Sequence, residues 1–350
     1  MKQTIFYAVA LTVMMAVGTN SHAKSWRVNN DTTRGAQFAD INAAMSSADV
    51  QDGDTLYLDP GSNLSSNQNV TKCVTIIGNG FFHDLQQPYG YASISGRIYL
   101  KAAGCKIEGV VMSNEWCCFV AADNVTIERC KLTGALQSSG NNCKNAIIRN
   151  CYFSASRGIS GQGTSSLYTA YWTIENNIIF TDYYNDYGSI YPSSIASLYS
   201  PMIRNNYIYC GSSSGGVVNI TNGTILNNII VKYKYINQMF NNLTDCIVNK
   251  NVLSGAEDTT YPSNKFLNSN DQAAIFTMTG ANDLQYQLCE NSPAKGYAID
   301  GGDCGPYGSG YTYVPGGLPL GMPYYTEATI GSMAHDGKVN VTLKISVQDE

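Results

Sequence analysis

The sequence predicts an all-β solenoid, a coil of short strands stacked turn upon turn, and three observations predict it. A motif of two short apolar runs around one small polar residue recurs along the middle of the chain. The recurrence holds a spacing of about 22 residues, stretched by insertions, as repeat architectures do. The runs are rich in Ile, Val and Tyr, which suit strands, and they are too short to be helices.

The motif reads Ile127-Glu-Arg-Cys130-Lys-Leu132 and Ile148-Arg-Asn-Cys151-Tyr-Phe153, then Ile174-Glu-Asn-Asn177, Ile203-Arg-Asn-Asn206 and Ile225-Leu-Asn-Asn228, with a looser copy at Ile247 to Leu253. Alignment on the small polar residue gives a ladder of Cys130, Cys151, Asn177, Asn206, Asn228 and Asn251, with Gly109 as its start. From Gly109 the steps are 21, 21, 26, 29, 22 and 23 residues. The ladder position has a physical job. Asn tolerates the left-handed backbone that a bend needs. Turns stack about 4.8 Å apart, so an amide on one turn can bond its counterpart on the next and satisfy groups that cost about 1–3 kcal/mol each when buried unpaired.

These repeats resemble the right-handed parallel β-helix of the pectin-lyase-like superfamily, in its secreted bacterial form. There an Asn ladder occupies the bend between the second and third strands of each turn. The likeness covers roughly Asp54 to Gly308 and implies the fold, while saying little about activity.

The remaining elements follow in chain order. Met1–Ala23 reads as a signal peptide: Lys2 is the charged start, Ile5–Val17 the apolar core, and Ser21-His22-Ala23 a small-x-small cleavage site. The apolar run is short for a spanning helix, an N-terminal membrane anchor being the alternative. The mature chain then starts near Lys24, is not membrane-spanning, and is secreted to the periplasm, cell surface or medium. Residues 24–308 form the coil with its N-terminal cap, and 309–350 a linker with a β-hairpin. Solenoid ends expose their core and need caps. Phe38, Ile41, Met45 and Ala48 fall at helical spacing in Ala36–Val50, predicting a capping helix. Thr55-Leu56-Tyr57-Leu58, ended by Pro60-Gly61, opens the coil. Early turns run through Cys73–Gly78 and Cys105–Met112, and Lys265–Leu288 completes the last. The segment Ser292–Gly308 resembles the closing segment of such helices, and Pro306 to Pro323 reads as a linker or an edge packed on the coil. Thr326–Ile330 and Val339–Val347 alternate apolar and polar around Asp336-Gly337, a hairpin signal. That hairpin either covers the far end of the coil or docks to a partner.

Composition narrows the function. The formal charge is -5 and no basic run exists, which argues against nucleic acid. Charged residues are 13% of the chain while Tyr numbers 25, a balance that suits contacts with sugars. Eleven Cys in an exported chain permit disulfides. Cys130 and Cys151 read first as a stacked reduced pair, with a bridge as the alternative, and Cys289 with Cys304 are the better disulfide candidates. With three His and no Cys-x-x-Cys, a metal site is not expected.

The ladder also numbers the strands. First strands fall near Phe119–Ala121, Ala135–Gln137, Gly158–Gly161, Ser194–Ser197, Val217–Asn219 and Met239–Asn241. The resemblance implies that substrate lies along this first-strand sheet. Relatives that hydrolyse carry Asp clusters there, and lyases carry acidic calcium ligands with an Arg or Lys base. These segments hold Gln137, Ser160, Asn219 and Asn241, with no Asp, Glu, Lys, Arg or His. No family catalytic residue transfers, and no calcium cluster or other cofactor is identified. The insertion Thr181–Ser194 carries Tyr183, Tyr184, Tyr187 and Tyr191, whose ring faces can stack on sugars, beside Asp182 and Asp186. Glu115 and Trp116 precede an earlier first strand, and Trp116 joins the binding candidates. Arg157 with Asp182 or Asp186 is the weak catalytic candidate. Tyr168 and Tyr171 lie near, and His83 with Asp84 is a lesser acid–base pair. The reading is a protein that holds extracellular or cell-surface polysaccharide without a recognisable catalytic set. The alternatives are a polysaccharide lyase or glycoside hydrolase with an atypical site, and a structural or adhesive surface protein.

Overall fold

A computed structural model of the chain describes residues 23–82, 90–140, 143–155, 158–161, 169–181, 194–210, 216–232, 239–255, 260–269, 271–280, 282–330 and 338–347. Its strands assemble into three parallel sheets of ten, eight and ten strands and one antiparallel pair. Within the coil, each strand pairs with those of the turns on either side. Trp116–Val120 pairs with Ile98–Leu100 and Ala135–Ser138. Thr126–Glu128 lies between Lys106–Glu108 and Ile147–Arg149. Lys131–Leu132 lies between Val111–Met112 and Tyr152–Ala155. The chain is a right-handed parallel β-helix, and the three sheets are the first-, second- and third-strand walls of the coil.

Alternation along each short strand builds the interior. In Ile127, Ile148, Ile174, Ile203 and Ile225 the second-strand wall sends one fully buried β-branched residue inward per turn. Burial of such a side chain stabilises by about 1.5–3 kcal/mol, so the stack holds the turns together. Cys105, Cys117, Cys118, Cys130, Cys143, Cys151 and Cys210 are buried with it, and all eleven thiols are unpaired. Cys289 and Cys304 do not join: their sulfurs contact different carbonyls, of Ala274 and Lys250.

The bend between the second and third walls is built from two neighbouring columns. In the inner one Asn177, Asn206, Asn228 and Asn251 stack. Each accepting Oδ1 takes both the backbone and side-chain N–H of the residue one turn earlier, at 2.9–3.0 Å. Asn264 extends the column past Asn251, and Cys151 donates its backbone N–H to Asn177. The residue that adopts the left-handed backbone is the preceding one, not the stacked one. Gly109, Arg129, Asn150, Asn176, Asn205, Asn227 and Lys250 all have φ between 49° and 67°. Strand register therefore puts Val110, not Gly109, at the start of the inner column: Glu108 aligns with Glu128 and Val111 with Lys131. Gly109 heads the outer column, where φ is positive.

The caps differ from expectation. The helix is short, Ile41–Ser46, N-capped by Asp40, whose carboxylate accepts from the Ala43 N–H at 2.7 Å. Before it Ser25–Val28 pairs with Thr55–Leu58 and forms the first rung. At the other end only Lys265–Leu267 stays in the coil. The chain then leaves it and packs on the outer face of the third-strand wall. There Ile275, Phe276, Tyr286, Ala294, Ala298 and Cys304 bury Ile178, Tyr207, Ile229 and Val252. The following stretch straps the bend: Asn150 donates to Tyr311 O and accepts from Val314 N, and Asn176 donates to Pro306 O. Asn205 donates to Ser309 O, and Asn227 accepts from Ile299 N. This explains the Asn-Asn dipeptides, in which the first amide holds the strap and the second the neighbouring turn. A final hairpin pairs Pro323–Ile330 with Val341–Val347, and every side chain of its second strand is exposed. That strand covers nothing, so it does not close the far end of the coil.

Candidate functional site

The first-strand wall consists of Gln68–Val70, Ile98–Leu100, Trp116–Val120, Ala135–Ser138, Ile159–Ser160, Ile195–Tyr199, Val217–Thr221 and Phe240–Thr244. All six first strands expected from the ladder lie in this sheet. Its outward row is Asn69, Tyr99, Phe119, Gln137, Ser160, Ala196, Val218 and Asn241, in unbroken register. None of these strands contains an ionisable acid or base of the Asp, Glu, Lys, Arg or His type.

Two features make this row a platform. Tyr99 and Phe119 stack flat, with centroids 4.7 Å apart and planes 13° from parallel. Lys101 Nζ lies 5.4 Å from the Tyr99 ring centre. At the later turns Ser197, Asn219 and Asn242 take positive φ inside the strands and break the alternation. Asn242 there donates to Asn219 Oδ1 at 2.7 Å on an exposed surface. One end of the wall is thus aromatic and the other rich in amides.

The edge where first strands begin carries the sequence-predicted candidates. Trp116 is half-buried there, its backbone N–H on Asn114 Oδ1 at 3.2 Å, and Glu115 beside it is exposed. Along the same edge Ala135 N bonds Glu115 O, Leu136 N bonds Gly158 O and Ile159 N bonds Ser194 O. A Cβ on Gly158 would lie 1.9 Å from Ser194 O, so close stacking of these turns requires glycine. Thr181 Oγ1 and Ser194 Oγ meet at 2.6 Å, which ties together the two ends of the tyrosine-rich insertion. Arg157, Asp182, Tyr183, Tyr184, Asp186, Tyr187 and Tyr191 lie outside the described residues, as do His83, Asp84 and Tyr168. Tyr171 is exposed at the opposite edge, edge-on to Tyr199 at 6.4 Å.

A charged row lies on a different wall. Glu108, Glu128, Arg149, Glu175 and Arg204 align on the second-strand sheet. Arg129 bridges Glu108 and Glu128 at 2.8 and 3.0 Å, and Arg149 meets Glu128 at 2.6 Å. Lys106 bonds both carboxylates, and Arg204 pairs with Glu175 at 2.7 Å. Burial pushes the Glu128 carboxyl up, but its bond to Lys106 and the charges of Lys106 and Arg149 outweigh this and hold it below its ordinary range. A general acid needs the opposite shift, so the Glu128 carboxylate knits turns together. Sequence reasoning missed this row, although its signal was present: the residue two before Cys130, Cys151, Asn177 and Asn206 is Glu or Arg, giving way to Leu226 and Asn249 at the last two ladder positions. Among the described residues no three His, Cys, Asp or Glu side chains converge as metal ligands would. Nor is any helix among them long and apolar enough to cross a membrane.

No family model matches the chain, and no curated protein matches its sequence. Among solved structures, the PL6 family alginate lyase AlyGC, solved as a mutant, aligns over 70% of this chain with 11% identity and a TM-score of 0.38. The chain spans about 41% of that protein's length.

Proposed function

We propose that the protein is exported and holds a polysaccharide along its first-strand wall, without a catalytic set of the lyase or hydrolase kind. The observation that carries this reading is the outward row of that wall: the flat Tyr99–Phe119 stack continuing into Gln137 and Ser160 and, past Ala196 and Val218, to Asn241, with no charged residue in the row. The stacked rings, whose faces lie against each other, offer an apolar rim to the C–H groups of sugar rings, and amides and hydroxyls exchange hydrogen bonds with sugar hydroxyls. Turn spacing of about 4.8 Å makes the row a repeating surface, suited to an extended chain of sugars. Trp116 and the insertion carrying Tyr183, Tyr184, Tyr187 and Tyr191 border the edge of this wall in the proposal, and Asp182, Asp186 and Arg157 contribute hydrogen bonds there. The reading also takes Met1–Ala23 as a signal peptide, residues 24–308 as the coil unit and 309–350 as a C-terminal appendage.

The test incubates the mature protein with a panel of uronic-acid and neutral polysaccharides, measuring binding together with new reducing or unsaturated ends. Binding without new ends, lost in Tyr99→Ala and Phe119→Ala, is the expected result. New ends that vanish in Arg157→Ala or Asp182→Ala would replace this reading with an enzyme. Absence of binding across the panel would leave the adhesive or structural role.

A further inference from the structure

The C-terminal hairpin sorts its residues by face. In its second strand Val341, Leu343, Ile345 and Val347 alternate with Thr342, Lys344 and Ser346, so one face is wholly apolar and the other polar. The antiparallel register sets Ile330, Ala328, Tyr325 and Pro323 opposite the four apolar residues. Thr329, Glu327 and Tyr324 stand opposite Thr342, Lys344 and Ser346. The four apolar residues of the second strand are nevertheless 43 to 61% exposed. A lone two-stranded hairpin is marginal in water and gains stability when its apolar face is covered. A contiguous exposed apolar patch marks a contact surface.

We propose that a second copy of this chain covers that face, the two hairpins packing apolar side to apolar side about a twofold axis. The product is a four-stranded sandwich with its sheets about 10 Å apart. Size and charge pick this occupant. At about 60 Å² of apolar surface per position, the eight apolar positions of one hairpin offer about 500 Å². Two such faces together bury about 1,000 Å², where specific interfaces begin. A twofold contact is self-complementary, so one uncharged face is matched by its own copy in length and in chemistry. The chain has a formal charge of -5, yet none of these eight positions is charged, and two copies meet there without repulsion. A bilayer fits less well. Elements that lie on membranes line their polar face with Lys and Arg, whereas the polar positions here hold one Lys, Lys344, opposite Glu327. The contact is separate from the first-strand wall and does not depend on the reading of that wall.

Sedimentation velocity of the mature protein over a concentration series tests the proposal. The protein should sediment as a monomer near about 1 µM and as a dimer near about 100 µM, the range of an interface of this size. Leu343→Lys combined with Ile345→Lys brings four like charges into the contact, and should weaken dimerisation by more than about 100-fold. Thr342→Lys, on the polar face, should dimerise as the wild type does. Hydrogen–deuterium exchange of the wild type needs no variant to fold: amides of residues 341–347 should exchange more slowly at the higher concentration. A protein that stays monomeric overturns the proposal, and if that monomer binds phosphatidylglycerol vesicles through residues 341–347 the face belongs to a bilayer instead. A dimer that survives the double lysine variant, or that leaves exchange in residues 341–347 unchanged, also overturns it.

Discussion

Replacing Asn206 with Ala should destabilise the coil. Asn206 sits mid-column with no exposed surface. Its Nδ2 donates to Ile174 O, Arg204 O and Asn228 Oδ1, each at 2.9 Å. Its Oδ1 accepts from the backbone N–H and Nδ2 of Asn177 at 3.0 and 2.9 Å. Alanine leaves the Asn177 backbone N–H without a partner in a dry interior, while the Ile174 carbonyl stays in the parallel ladder with the strand of Met202–Arg204. Asn177 Nδ2 keeps its bond to Ile148 O, and Asn228 Oδ1 keeps the backbone N–H of residue 206, so those two groups are not stranded. One stranded donor at about 1–3 kcal/mol gives a loss of about 2 kcal/mol. The assay is urea unfolding followed by circular dichroism, with Asn241→Ala as a control whose side chain is exposed. The control should cost under about 0.5 kcal/mol, as surface substitutions do. A loss below about 1 kcal/mol in Asn206→Ala, or one equal to the control, would refute the claim that stacked amides hold the turns.

Asn150→Ala should free the strap at Tyr311 and Val314, costing about 1–2 kcal/mol locally and raising the rate of proteolysis within residues 309–320. Glu128→Gln should lose about 2 kcal/mol at pH 7 by breaking a buried pair. The folded-state pKa of Glu128 is depressed, so its stabilisation is present above the ordinary value of 4.5 and is lost as pH falls through the folded value. The gap between wild type and variant in urea midpoint should therefore close on acidification, and a gap independent of pH would contradict the ion-pair account. Alkylation in denaturant without reductant should label all eleven cysteines by mass, and nine would reveal a bridge. Native protein should react slowly at Cys105, Cys117 and Cys210, because burial pushes each thiol up to about 12, and fastest at Cys73, Cys246 and Cys289, which are part-exposed.

The inner column was legible because one residue type recurs in one flanking context, and it served as a ruler for the strands. Its start was misplaced by one position, since Gly109 satisfies the bend's need for positive φ while Val110 fills the stacked place. Asn264 was missed because it follows Asn251 by 13 residues, a turn too short to match the period. The strap was half-visible. Sequence reads Pro306 to Pro323 as a linker or an edge packed on the coil, but the outer Asn column that holds it makes contacts between residues far apart in the chain, 104 for Asn205 with Ser309 and 164 for Asn150 with Val314. The N-terminal rung escaped because Ser25–Val28 is a strand of only four residues whose alternation carries little signal. The six-residue helix is shorter than its apolar periodicity suggested because Phe38 is taken into a bridge with Val28. Of the candidate site, the uncharged character of the first-strand wall could be read from the ladder. The Tyr99–Phe119 stack could not, because Tyr99 lies in an early turn that lacks the ladder motif.

The central claim, that a polysaccharide lies along the first-strand wall, is tested most directly by hydrogen–deuterium exchange with and without a glycan that binds. The account predicts protection concentrated in residues 98–100, 116–120, 135–138 and 159–160, and no change in the covered third-strand wall around Tyr207 and Ile229. Protection confined to the second-strand wall, the strap or the C-terminal hairpin would contradict it.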